Sequence, residues 1–89
     1  MSVTNIDDTL VRRRPLTVES LRMLVNIELW FHSECYGVHV RRIVVTEPDP
    51  SGCNWQVEWP TYRTAISGPC RSYLSRIVER LRERYNVVP

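Results

Sequence analysis

An 89-residue chain with 43% hydrophobic and 25% charged residues has room for one small domain. That balance excludes a disordered tail, a collagen-like chain and a multidomain enzyme. A formal charge of +2 is too weak a field to mark a nucleic-acid binder by charge alone.

A chain this short buries roughly 60–65% of its unfolded surface. Its stability is on the order of 4–13 kcal/mol, and a second subunit is a natural way to raise it. All 12 basic residues are Arg. Arg makes planar, bidentate contacts with phosphate that Lys cannot, although GC-rich coding produces the same bias. The 3 cysteines, Cys35, Cys53 and Cys70, are an odd number without C-x-x-C spacing. No apolar run approaches the roughly 18 residues of a membrane span, and no signal-peptide pattern precedes the cysteines. The expectation is a reducing, cytoplasmic protein with free, buried thiols and no cofactor.

Residues 1–14 lack periodicity and read as a flexible N-terminal arm ending in Arg12, Arg13 and Arg14, with a single α+β domain over 15–89. A first helix starts after Thr17, a good N-cap, with Glu19 suited to the positive first turn. It is expected to run to about Ser33. Placing its residues at 100° steps leaves a polar strip of Glu19, Arg22 and Asn26 between two apolar stripes. One stripe holds Leu21, Leu24 and Val25; the other holds Met23, Ile27 and Trp30. A single sheet face covers only one of them, so the other needs a further partner.

Residues 38–46 read as a strand rich in β-branched side chains. Its alternation is imperfect: Val38, Val40 and Val44 fall on one face and Ile43 and Val45 on the other, so either a bulge at Arg41 and Arg42 resets the phase or both faces are covered. The turn Glu47, Pro48, Asp49, Pro50, Ser51, Gly52 follows, with Asn54 placed to bond its backbone. Residues 53–59 then alternate cleanly, with Cys53, Trp55, Val57 and Trp59 on the inward face. Residues 62–66 are a candidate third, short strand. Pro69 opens a second helix whose apolar stripe is Cys70, Tyr73, Leu74, Ile77, Val78, Leu81 and Tyr85. The order is α-β-β-(β)-α: two helices packed on one face of a small antiparallel sheet. Edge pairing across a two-fold axis would extend that sheet in a dimer.

Several groups carry chemical potential. Glu28 and His32, at i and i+4, are materials for acid–base work, and equally a way to satisfy a half-buried charge. His32, Cys35 and His39, with Cys53 or Cys70, are zinc-ligand types, but their spacing matches no zinc module, so no metal site is expected. Trp55 and Trp59 lie about 13 Å apart on one strand face. With Tyr62 they would stack bases if open, and form core if covered. On the second helix Glu79 and Glu83 alternate with Arg76, Arg80 and Arg82 in i,i+3 pairs, which describes a solvated face. No catalytic residue is assigned.

Asp49, Gly52, Cys53, Asn54 and Trp55, in the pattern D-x-x-G-C-N-W ahead of an amphipathic helix, resemble a group of small bacterial proteins to which no activity is attached. With a strand at 62–66, the element order is also similar to the double-stranded-RNA-binding domain. That domain has a Lys-rich start to its second helix, where this chain has Gly68, Pro69, Cys70, Arg71 and Ser72.

The sequence therefore reads as a non-enzymatic interaction protein that forms a homodimer and docks an unidentified protein partner. Met23, Ile27, Trp30, Ile43 and Val45 are its candidate contact residues. The alternative is RNA or DNA binding through Arg12, Arg13, Arg14, Arg41, Arg42 and Arg71.

Overall fold

The computed structural model describes residues 13–59 and 66–88. In chain order these form β1 (Arg14–Leu16), α1 (Val18–Trp30), a 3-10 turn (Ser33–Cys35), β2 (Ile43–Val45), β3 (Trp55–Val57), α2 (Gly68–Arg84) and β4 (Tyr85–Val87). The fold is α+β. β2 and β3 pair antiparallel with Val44 opposite Gln56, and β1 and β4 pair parallel with Pro15 opposite Asn86. α1 lies against β2 and α2, and α2 lies against β3 and β4.

Both helices begin on side-chain caps. The Thr17 hydroxyl accepts the Ser20 N–H at 3.1 Å, and the Ser67 hydroxyl accepts the Cys70 N–H at 3.2 Å. α1 ends three residues earlier than its pattern suggests. There the N–H groups of Phe31 and His32 bond three residues back, to Glu28 at 3.3 Å and Leu29 at 3.1 Å, and the chain tightens into the 3-10 turn. α2 carries Arg82 and Arg84 in its last turn, where cations offset the negative helix end.

Of residues 38–46 only Ile43–Val45 is strand. The cause is Asn26, which is buried rather than part of a polar strip. Its Nδ2 donates to the Val40 carbonyl at 2.9 Å, and its Oδ1 accepts the Val40 N–H at 2.7 Å. A helix side chain thus takes the backbone groups that a neighbouring strand would use. The expected strand over 53–59 shortens to Trp55–Val57, although Thr46 N–H to Asn54 O (2.8 Å) and Glu58 N–H to Arg42 O (3.0 Å) extend the ladder one step each way.

The hairpin turn is organised by Asp49, not Asn54. Asp49 Oδ1 accepts from the Ser51 N–H at 2.8 Å, the Ser51 hydroxyl at 2.6 Å and the Cys53 N–H at 3.2 Å. Gly52 has φ +93°, and a Cβ there would also meet Arg13 Nη1 at 3.1 Å. Asn54 instead pairs with β4: it donates to the Val87 carbonyl and accepts the Val87 N–H, both at 2.9 Å. Asn86 answers by accepting the Asn54 N–H at 3.2 Å and donating to the Gly52 carbonyl at 3.0 Å.

Arg82 locks the same region. Its guanidinium donates to the Trp55 carbonyl and to Asp49 Oδ2, and lies 5.9 Å from the Trp55 ring centroid. The Trp55 indole N–H donates to the Tyr85 carbonyl at 2.9 Å. Arg13 closes the outside, donating to the carbonyls of Arg82 at 2.7 Å and Ser51 at 2.9 Å. Arg13 is thus bonded to the hairpin turn and the end of α2, and Arg14 opens β1 opposite Tyr85. Residues 1–12 lie outside the described residues, as do 62–65 of the candidate third strand. Ile66 packs on the core without strand structure. β1 and β4 are additions to the expected order, and Tyr85, expected on the apolar stripe of the second helix, opens β4.

The core gathers Leu21, Val25 and Leu29 from α1, Ile43, Trp55 and Val57 from the hairpin, and Leu74, Ile77, Val78 and Leu81 from α2. Cys35 and Cys70 are joined in a disulfide with their Cα atoms 5.0 Å apart. The expectation of free thiols thus holds only for Cys53, which is buried. No helix among the described residues is long and apolar enough to cross a membrane.

Two measurements check this account. The disulfide closes a sequence separation of 35 residues, so reducing it lowers stability by about 4 kcal/mol on loop-entropy grounds. Urea unfolding with and without reductant reads the loss; coincident midpoints would contradict it. The second concerns Asp49, whose carboxyl is held below its ordinary pKa by the Ser51 hydroxyl, then by the backbone N–H groups of Ser51 and Cys53 and by Arg82. A lowered folded-state pKa contributes stability above the unfolded value of about 4, lost as pH falls through the folded value. Asp49→Asn is expected to destabilise the protein at neutral pH and to flatten its loss of stability in acid. A variant with the wild-type acid profile would refute the role.

Candidate functional site

The two stripes of α1 have different fates. In the first, Leu21 and Val25 are sealed together with Leu29, and Leu24 is partly buried, whereas Met23, Ile27 and Trp30 are 52%, 45% and 62% exposed. Spacings of four and three residues put those three on one side of the helix. Phe31, four residues after Ile27, is exposed beside them, and Tyr36 is exposed beyond the 3-10 turn. A groove of about 270 Å³ runs along this side, lined by Arg22, Met23, Asn26, Ile27, Trp30 and His39. Its polar residues are engaged within the chain. Arg22 is paired with Glu19, which holds that carboxyl below its ordinary pKa, and the Asn26 amide is spent on Val40. The side chains presented outward are chiefly apolar.

Ile43 and Val45 separate. Ile43 is in the core at 6% exposure, while Val45 is 56% exposed. Both fall on the same side of a strand by its period of two. The sheet face is covered at Ile43 and open at Val45.

The acid–base pair does not assemble. Glu28 is ion-paired with Arg80, and His32 stacks on Tyr73 with ring centroids 3.9 Å apart and an 11° interplanar angle. Arg80 and Arg82 of α2 reach Glu28 and Asp49 on other elements rather than forming the i,i+3 ladder expected from spacing. The zinc-ligand types are dispersed as well, because Cys35 and Cys70 are consumed by their disulfide. Among the described residues no group of three or more His, Cys, Asp or Glu is placed to hold a metal ion. Trp55 is fully buried and closed to a stacking ligand, while Trp59 is exposed, against the expectation that both face inward. Tyr62 lies outside the described residues.

The arginines of the nucleic-acid alternative are scattered over different elements. Arg13 is fixed to the hairpin turn and the end of α2. Arg14 is exposed on β1, and Arg71 is exposed in the first turn of α2. Arg41 and Arg42 precede β2, with Arg42 3.7 Å from Glu58 across the hairpin. Arg12 lies outside the described residues.

Sequence reasoning missed Phe31, whose spacing from Ile27 places it beside the exposed stripe. It also missed Asp49, although Asp two residues before Ser is a familiar turn signal. No protein-family model, curated protein or solved structure matches the chain.

Proposed function

We propose that this chain is a non-enzymatic interaction protein that self-associates through Met23, Ile27 and Trp30 on α1, a homodimer being the simplest assembly. One observation carries the reading: three large apolar side chains in helical register stand half-exposed on the side of α1 away from the sealed stripe. The two helices share the hairpin face that carries Ile43, Trp55 and Val57, so that face has no room for the second stripe.

The surface is of useful size. A buried aromatic contributes about 150–250 Å². Trp30 and Phe31, with Met23 and Ile27, approach the ~500 Å² per copy of the smallest specific interfaces. A stripe formed by one helix is also self-complementary about a two-fold axis. In a reducing cytoplasm the relevant state is the Cys35, Cys70 dithiol. Neither cysteine belongs to the α1 surface, so the reading does not depend on compartment.

Nucleic-acid binding draws less support. Arg13, Arg22, Arg42, Arg80 and Arg82 already serve acceptors within the chain. Phosphate would have to compete with each of them.

Because Ile27 is exposed, a charge there disables association through α1 without unfolding the monomer. Light scattering at micromolar concentration is expected to give a mass of at least two chains for the wild type. Ile27→Glu should weaken association at least tenfold, about 1.4 kcal/mol, with an unchanged far-UV spectrum, while Arg76→Glu on α2 leaves the mass alone. A single-chain mass for the wild type throughout that range would overturn the proposal.

A further inference from the structure

The hairpin has one stitched edge and one open edge. On the β3 side, the Trp55 carbonyl is held by Arg82, and Asn54 is paired with Val87 and Asn86 of β4. On the β2 side the geometry runs the other way. The register Val44 opposite Gln56, with the flanking bonds from Thr46 to Asn54 and from Glu58 to Arg42, turns the backbone groups of residues 42, 44 and 46 toward β3. Alternate residues of an antiparallel ladder face outward. The N–H and C=O groups of Ile43 and Val45 therefore point away from β3, and nothing among the described residues bonds to them. The open backbone coincides with the uncovered side chain of Val45, which is 56% exposed.

We infer that a second copy of this chain pairs antiparallel along this edge, about a two-fold axis at Val44, and joins the two hairpins into one sheet. In that register Ile43 lies opposite the partner's Val45, and Val45 opposite the partner's Ile43. Each such pair exchanges both backbone hydrogen bonds, so all the outward groups of both strands are satisfied. The exposed Val45 side chain gains an apolar neighbour on its own sheet face.

Charge selects a second copy over an arbitrary strand. The same register sets Arg41 opposite the partner's Glu47, and Glu47 opposite the partner's Arg41. Both residues are exposed and stand equally far from Val44. Opposite charges facing one another across strands are favourable. Sliding the partner by two residues in either direction separates these charges and leaves one strand residue of each copy without its mate. Pro48, which has no N–H, ends the pairing just beyond Glu47.

This seam uses β2 rather than the α1 stripe, so it goes beyond the self-association read from α1 and can fail separately. With both surfaces in use the assembly grows past two chains.

The seam is tested by oxidative cross-linking in an Ile27→Glu background, where the α1 stripe is disabled. At the two-fold axis the paired Val44 Cα atoms would lie about 4.5 Å apart, as in a non-hydrogen-bonded pair, within disulfide reach. Val44→Cys is expected to give a covalent dimer with a glutathione redox buffer, at least tenfold faster than Gln56→Cys, one strand removed from the seam. Adding Val45→Pro removes an outward N–H and should abolish cross-linking with the circular-dichroism spectrum unchanged. Arg41→Glu should slow cross-linking, and Arg41→Glu with Glu47→Arg should restore it. Equal rates for Val44→Cys and Gln56→Cys, or a charge reversal that fails to restore the rate, would overturn the seam. Neither result bears on association through α1, which the loss of mass between the unmodified chain and Ile27→Glu decides.

Discussion

Two strands spaced about 4.8 Å apart are roughly as wide as one helix, whose diameter with side chains is about 10 Å. This chain has two helices to seat. A second strand pair, β1 with β4, widens the platform, but it is parallel and separate from the hairpin. Side chains close the gap between the two pairs. Asn54 and Asn86 substitute for strand backbone, while Arg82 ties β3 to the Asp49 turn and rests over the Trp55 ring. Removing either device would leave buried backbone groups unsatisfied along the seam.

The same narrowness explains what remains open. Side-chain stitching serves the β3 edge, toward β4, and α2 contributes to it through Arg82. At the other edge, Asn26 of α1 reaches only as far as Val40. Beyond that point nothing among the described residues bonds the outward groups of β2, and Val45 is exposed. Above it, α1 buries one stripe and presents the other. An uncovered apolar stripe and an open strand edge among the described residues are related consequences of a platform too small for what it carries; in the assembly we propose, a second copy of the chain would supply what is missing.

The sequence made much of this legible. The capping residue Thr17, Pro69 in the first turn of α2, and the period of α2 place both helices, since each signal is local. The two stripes of α1 were visible in its spacing, although spacing alone did not show which was covered. The hairpin position was legible and its length was not, because Asn26 takes the backbone of Val40 from 14 residues away in sequence. β1 and β4 were missed for a related reason. Three-residue strands carry almost no periodic signal, and their parallel pairing joins opposite ends of the chain. The disulfide is equally non-local: Cys35 and Cys70 meet only once α1 and α2 are packed. Glu28 showed its need for a partner in sequence, but that partner, Arg80, became apparent only in the fold.

Trp30 reports most directly on whether the leftover stripe is covered by another copy. Trp55 is sealed, so in a Trp59→Phe variant the quenchable indole among the described residues is Trp30. Iodide quenching of that variant, followed from nanomolar to tens of micromolar protein, should fall several-fold as chains associate, and the fall should vanish when Ile27→Glu is added. Quenching that stays constant across the whole range would mean that the stripe remains in water, and would contradict the account.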